Sequence, residues 1–340
     1  MTAENNSEVK SKKKSKKLII ILSVILAIIL IFISAFFIFL KIGESKLRGN
    51  TGDISPSLPA LEDEVVPEDA DAYYNGEAYN YNSELINILL LGIDRKSSDS
   101  SKLHQADALY LISIDTKSNK VNIISISRNT LVDVDVYGIN GSFIGKQNEQ
   151  ICLSYTYSSD DKKASENTAN SVSRLLYGIP INGYYTIFMN SVEEIVDSVG
   201  GVPVTITEDL TSISSAMKPG NTVTITGKNA LKYLRYRGES NAPRVARQKA
   251  FVSSFVSKTK SAYLKDLSLP IKMYNKLASN TVTNVTAASA TYLASEAMEC
   301  EFKFLDIEGT YGSDGKYETF MPDENQLYNL ILNTFYIKQK

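Results

Sequence analysis

The sequence predicts an α/β protein, with a mixed central sheet and helices on both faces, preceded by one N-terminal transmembrane helix. Three observations lead there. Leu18 to Leu40 is an uncharged apolar run of 23 residues behind a lysine cluster. Three apolar runs of strand length, INILLLG, ALYLISI and VNIISIS, follow one another between residues 86 and 127. After them, segments with helical periodicity and glycine or proline stops alternate with short β-branched runs to the end of the chain.

The N-terminal elements come first. Lys10, Lys12, Lys13, Lys14, Lys16 and Lys17 precede the apolar run. As a helix, that run spans roughly 35 Å, enough for a bilayer core of about 30 Å. The lysines assign residues 1–17 to the cytoplasm and everything after residue 40 to the outer side. A cleaved signal peptide is the alternative, but its apolar region is shorter and a small-x-small site follows it. Here Lys41-Ile42-Gly43-Glu44 follows, which favours an uncleaved anchor. Residues 41–84 read as an extracytoplasmic linker: 50–84 hold nine acids, no lysine or arginine, and Pro56, Pro59 and Pro67. Tyr73, Tyr74, Tyr79 and Tyr81 near its end are suited to dock onto the domain that follows, residues 85–340. The net charge of −2 carries no message about nucleic acid, because the basic tail is the flank of an anchor.

Within the domain, Ile86–Gly92, Ala108–Ile114 and Val121–Ser127 form a predicted antiparallel meander, with the polar loop DTKSNK as its hairpin connection. The first strand then exits at Asp94, the second enters at Asp107, and the third exits at Arg128. Two carboxylates and one arginine meet at one sheet end. Paired carboxylates suit a hard divalent cation, Mg2+ or Mn2+. The alternative is that Asp94 caps a turn and Asp107 a strand end. Asp115, at the opposite end, reads as a turn residue.

Further on, the pattern predicts helices over 165–177, 191–199, 228–234, 245–264, 287–298 and from Asp323 towards Tyr336. Strands are expected at 184–188, 202–206, 222–226 and 301–305, and a tight turn at Ser313-Asp314-Gly315. Four arginines, Arg235, Arg237, Arg244 and Arg247, fall within thirteen residues in LRYRGESNAPRVARQ. On extended backbone Arg235 and Arg237 share a face; on a helix starting at Pro243, Arg244 and Arg247 do. Arginine grips phosphate oxygens two at a time, which points to a polyanion such as a pyrophosphate. A solvated basic loop is the plainer alternative. Cys152 and Cys300 are too few for a structural zinc site and are expected as buried apolar residues rather than a disulfide. A single histidine, His104, rules out a multi-histidine metal site.

In their order and spacing, NILLLGIDR, Asp107, SISRNT, LRYR and PRVARQ resemble the LytR-CpsA-Psr family, closely over residues 85–260 and loosely over 260–340. The resemblance implies a phosphotransferase of Gram-positive envelopes. Such an enzyme moves a glycopolymer (teichoic acid, capsule or similar) from an undecaprenyl-pyrophosphate carrier to a peptidoglycan hydroxyl through a phosphodiester. It implies that Asp94 and Asp107 hold magnesium on the pyrophosphate. It also implies that Arg128, Arg235, Arg237 and Arg247 clamp phosphate oxygens, that Arg244 assists, and that Gln248 and Asn129 stand at substrate-binding positions. The polyprenyl tail is expected in an apolar cavity between sheet and helices.

The chain departs from the family pattern around Arg128. Ser127-Arg128-Asn129 stands where the family has proline, arginine and aspartate. Gln105 replaces an arginine, and Gln150 and Cys152 replace a lysine and an asparagine. An amide at 129 carries no charge and accepts no proton. A polyprenyl-pyrophosphate hydrolase, and a membrane-anchored sensor that binds lipid-linked precursors without turnover, therefore stand as alternatives. A DNA-binding role is excluded on the anchored reading, since the arginines then lie outside the membrane.

Overall fold

The computed structural model describes residues 30–31, 33–50, 56–59, 66–95, 104–138, 140–236 and 242–339. The expected tail 1–17, most of the expected span 18–40, and Arg237 lie outside these residues. Among the described residues, no helix is long and apolar enough to cross a membrane.

The chain opens with helix α1 (33–48). Then come strands β1 (Ala72–Tyr74), β2 (Glu77–Tyr81), β3 (Ile86–Ile93), β4 (Ala106–Asp115), β5 (Lys120–Ile126), β6 (Leu131–Tyr137) and β7 (Phe143–Gln150). Helix α2 (Asp161–Leu175), β8 (Gly183–Phe188), α3 (Met189–Ser198), β9 (Val202–Thr205), β10 (Thr222–Ile225), α4 (Gly227–Arg235) and α5 (Ala242–Lys265) follow. The chain closes with α6 (Leu269–Leu277), β11 (Thr281–Thr283), α7 (Ala287–Ala297), β12 (Glu301–Asp306), β13 (Gly309–Ser313), β14 (Glu318–Pro322), α8 (Glu324–Phe335) and β15 (Tyr336–Lys338).

The six-stranded central sheet runs β11-β8-β3-β4-β5-β12. Its centre is the expected antiparallel meander. Strand β8 adds parallel to β3 and β12 adds parallel to β5, so the sheet is mixed. Because successive side chains leave opposite faces, each central strand serves two cores. Leu89, Leu91, Leu109, Leu111 and Ile124 pack with α2 and α8 through Val172, Leu176 and Ile331. Ile112, Ile114, Val121 and Ile123 face the other way, towards Val252 of α5 and Leu293 of α7. A separate cluster, built from Val196, Val202, Val204, Ile225, Tyr233 and Phe251, joins α3, β9, β10, α4 and α5.

Several elements carry little apolar signal of their own. Strand β7 is exposed or half-buried along its length and exists by pairing with β6. Strands β13 and β14 form a largely exposed hairpin around the expected 313–315 turn. Strands β1 and β2 join β15 in a three-stranded sheet, inside the stretch expected to be a loosely ordered linker. The tyrosines explain their docking: the Tyr74 ring lies 5.2 Å from Tyr328 and Tyr81 lies 5.9 Å from Tyr336.

The end of α1 also belongs to the domain. Leu47 is buried with Ile86, Val285 and Tyr292. Ser289 Oγ donates to the Gly43 carbonyl at 3.0 Å, and a Cβ at Gly43 would collide with the Ala288 carbonyl. Arg48 donates to the Glu84 carbonyl at 3.0 Å. A chain beginning at Lys41 should therefore melt at least about 5 °C above one beginning at Leu85, since 1 kcal/mol moves the midpoint of a domain this size by roughly 2–4 °C. Equal midpoints in a thermal scan would show that residues 41–84 contribute nothing.

Candidate functional site

The register brings the expected charges together. Ile93 at the end of β3 pairs with Ala106 at the start of β4, so Asp94 and Asp107 share one end of the sheet. Strand β5 pairs Ile126 with Leu109, and Arg128 follows two residues later at the same end. Arg128 donates to the carboxylate of Asp107 and to Gln105 Oε1. Arg235, the last residue of α4, forms an ion pair with Asp94. Burial pushes the Asp107 carboxyl above the usual carboxylate range. Arg128 opposes this, the Asp94 charge adds to it, and Arg235 opposes it again. Asp107 thus feels the other three charges.

Two carboxylates offset by two guanidiniums leave this cluster without net charge. The pairs are open to solvent, with side-chain exposures of 40% for Arg128, 34% for Asp107, 45% for Arg235 and 51% for Asp94. Ion pairs so exposed contribute about 0–1 kcal/mol, so a phosphate or a cation can displace either partner at little cost. No group of three or more metal-ligating side chains occurs among the described residues. Asp94 and Asp107 are nevertheless suited to a magnesium-type ion, which keeps several waters and uses one or two carboxylates together with substrate phosphates.

Arg95, which the sequence reading passed over, anchors this end. It is buried, its guanidinium lies 4.4 Å from the Phe188 ring centroid, and it pairs with Asp161. The Tyr155 hydroxyl donates to the same Asp161 oxygen at 2.8 Å. Arg95 lies with Asp94 in the bend that follows β3, so strand alternation does not reach it, and its place in the chain carried no signal of its buried partners.

The second arginine group divides. Arg235 was expected on extended backbone beside Arg237; it is helical instead, because α4 continues to it and only Tyr236 turns extended, at φ −52° and ψ 127°. Arg244 lies in the first turns of α5. Arg247, expected to clamp phosphate, is buried and its donors are committed. Nε donates to the Tyr233 carbonyl at 2.8 Å, and the terminal nitrogens bind Glu208 and the Tyr236 carbonyl. Gln248 Nε2 donates to the Leu234 carbonyl at 3.1 Å. A helix leaves its last carbonyls without internal partners. Arg247 and Gln248 satisfy the Tyr233 and Leu234 carbonyls of α4 and so hold the helix end that carries Arg235.

Four of the five departures from the family pattern, at Gln105, Asn129, Gln150 and Cys152, lie beside one another. Cys152 Sγ stands 3.7 Å from an Arg128 nitrogen, and Gln105 accepts from the same nitrogen. Burial pushes the Cys152 thiol up, so it faces Arg128 uncharged. Both cysteines are free, as expected. Asn129 Nδ2 donates to Glu318 Oε2 at 2.8 Å, and Gln150 Nε2 donates to the Glu318 carbonyl at 2.7 Å. Glu318, on β14, was not anticipated.

An apolar cavity of about 590 Å³ lies between the sheet and helices α5, α6 and α7. Phe255, Tyr263, Met273, Leu277, Ala294 and Phe302 line it. Helix α5 connects it to the charged end, for Arg247 and Phe255 are roughly 12 Å apart along the helix axis at about 1.5 Å per residue.

The family model of LytR_cpsA_psr matches residues 62–333. The chain belongs to this family. A family member from Bacillus mycoides (strain KBAB4), named polyisoprenyl-teichoic acid–peptidoglycan teichoic acid transferase TagU, is 27% identical over 249 residues, 71% of this chain and 75% of that one. A Bacillus cereus (strain ATCC 14579) protein of the same name is 26% identical over 281 residues, 79% and 86% of the two chains. Among solved structures, Bacillus subtilis TagV superposes with a TM-score of 0.59 at 22% identity, covering 74% of this chain and 97% of that one. TagT bound to LIIa-WTA superposes with a TM-score of 0.57 at 21% identity, covering 74% and 91%. At these identities the superpositions establish a shared fold.

In this family member, Arg247→Lys should lower the unfolding free energy by about 1–3 kcal/mol, because a lysine cannot satisfy two carbonyls and Glu208 in one plane. Chemical denaturation without substrate checks this. An unchanged midpoint would return Arg247 to a purely ligand-facing role.

Proposed function

We propose that this protein is a membrane-anchored extracytoplasmic phosphotransferase. It moves a glycopolymer from an undecaprenyl-pyrophosphate carrier to peptidoglycan through a phosphodiester bond, with magnesium or manganese assisting. The observation that carries the reading is the solvent-open cluster of Asp94, Asp107, Arg128 and Arg235 at the end of the meander. Family membership and relatives named as teichoic acid transferases support it. For the anchor, the support is the lysine-flanked apolar run, together with the exposed Ile33, Phe37 and Ile38 on α1.

Phosphoryl transfer calls for positioning and charge neutralisation more than for covalent help from the protein. Asp94 and Asp107 would hold the divalent ion, which would supply positive charge beside the pyrophosphate. Arg128 and Arg235, released from their carboxylates, bind the non-bridging oxygens of the attacked phosphate and of the departing polyprenyl phosphate. Arg237 and Arg244 belong to the same arginine-rich stretch and are assigned to the pyrophosphate with them. Arg247 and Gln248 hold Arg235 in place through the end of α4. The apolar cavity takes part of the polyprenyl chain, so that the pyrophosphate sits at the sheet end while its tail stays out of water.

The test uses the full-length chain in detergent, a lipid-pyrophosphate-linked glycan, peptidoglycan fragments and magnesium, with mass spectrometry of the products. The phosphodiester-linked glycan is expected. Arg128→Ala and Asp107→Ala should each slow its formation by about 10²–10³, as loss of one stabilising group for developing charge does elsewhere. Asn129 is the feature that favours a sensor, and tight lipid binding without product would establish that reading. Released polyprenyl phosphate without transfer would establish a hydrolase. Independently, Ala294→Phe should fill the cavity and raise the donor KM about tenfold with little change in kcat. An unchanged donor KM would remove the lipid chain from that cavity.

A further inference from the structure

The hairpin β13–β14 is fixed against the phosphate-binding end of the sheet. The Phe320 amide donates to the Asn129 carbonyl at 2.8 Å, and Thr130 and Phe320 form a β-bridge. Phe320 is buried, so the hairpin is pinned where the chain leaves Arg128. Within it, Tyr311 pairs with Phe320 and Ser313 pairs with Glu318. Directly opposed residues, and residues two apart, share one face of a hairpin. Tyr311 and Glu318 therefore lie on one face, as diagonal neighbours about 7–8 Å apart.

Glu318 is exposed and half-committed. Its Oε2 accepts from Asn129 Nδ2 at 2.8 Å, and Gln150 Nε2 bridges to Asn129 Oδ1 at 3.3 Å. Its Oε1 has no protein partner among the described residues. The Tyr311 ring is 63% exposed and steadied by the Phe320 ring, 4.9 Å away. A carboxylate oxygen with an open lone pair, two amides and an exposed ring on one face match the needs of a sugar. Hydroxyls donate to the carboxylate, and the apolar face of a pyranose covers the ring.

We propose that Glu318, Tyr311, Asn129 and Gln150 form the acceptor-sugar subsite, in which Glu318 receives the hydrogen bond of the hydroxyl that attacks phosphorus. This rests on the transferase reading. The Arg128 side chain reaches Cys152 and that of Asn129 reaches Gln150, two residues earlier on the same segment, so a hydroxyl held at Asn129 lies near the phosphate assigned to Arg128. The carboxylate absent from position 129 is supplied from 189 positions further along the chain. Glu318 acts by positioning: it orients the acceptor oxygen towards phosphorus. As that oxygen bonds to the attacked phosphorus, the bond from this phosphorus to the bridging pyrophosphate oxygen breaks, the polyprenyl phosphate leaves with that electron pair, and the hydroxyl proton passes to the departing phosphate or to solvent.

Two measurements on the full-length chain in detergent test this. In steady-state transfer, Glu318→Gln should raise the acceptor KM about tenfold, as loss of a charge-assisted hydrogen bond does, while the donor KM stays within twofold. The double variant Asn129→Asp/Glu318→Gln, which returns the carboxylate to position 129, should recover most of that loss. A role confined to holding the hairpin would leave the acceptor KM of Glu318→Gln near wild type, because the new amide oxygen still accepts from Asn129 Nδ2. In direct titration with muramidase-released peptidoglycan fragments, Glu318→Gln and Tyr311→Ala should each weaken binding about tenfold. Wild-type binding that both variants keep, or an unchanged acceptor KM, overturns the subsite. Fragment binding that depends on Glu318, with no product from wild type, keeps the subsite and overturns the transferase.

Discussion

Two carboxylates placed by β-sheet register at one strand end repel each other, and much of the surrounding structure offsets that repulsion. Asp94 and Asp107 cannot be moved apart without breaking the β3–β4 ladder, because their places follow from the pairing of Ile93 with Ala106. The protein brings a guanidinium to each instead: Arg128 from the adjacent strand end and Arg235 from the end of a helix. Neither pair is buried. The carboxylates are thus held by partners that a cation or a phosphate can replace, a resting arrangement that keeps the site folded and leaves it free to bind.

Helix α4 delivers its arginine through its last turn, where a helix is weakest. The first turns of α5 repair that weakness with Arg247 and Gln248, backed by Glu208 and the rings of Tyr233 and Tyr236. The same helix continues into the wall of the apolar cavity. One rigid element therefore spans the part that positions charge and the part that lines the apolar cavity. Their separation is set by helix rise rather than by a loop.

What the sequence could show tracked burial. Strands β3, β4 and β5 are buried on both faces and stand out as apolar runs, and the convergence of Asp94, Asp107 and Arg128 follows from their order alone. Strands β7 and β13 are exposed, pair by backbone hydrogen bonds and carry no period to read. The arginine stretch pointed to phosphate chemistry but did not show where each arginine would be placed. A buried Arg247 that binds carbonyls and an exposed Arg235 that binds a carboxylate are the same letter. Glu318 was invisible for a different reason: only the C-terminal hairpin's return to Asn129 makes the two neighbours. The departures at Gln105, Asn129, Gln150 and Cys152 looked like separate losses in sequence, and in space they are one continuous patch around Arg128.

The seat of Gly43 on α7 sets a mechanical condition on the reaction. Ser289 binds the Gly43 carbonyl, and Leu47 and Arg48 lock the next turn of α1 against the domain. On the anchored reading, no slack tether separates the lipid phase from the catalytic end. The domain then works as a rigid bracket rather than a ball on a string. On that reading its active end would sweep a plane at constant height above the bilayer, and only wall strands that come down to that plane would receive polymer.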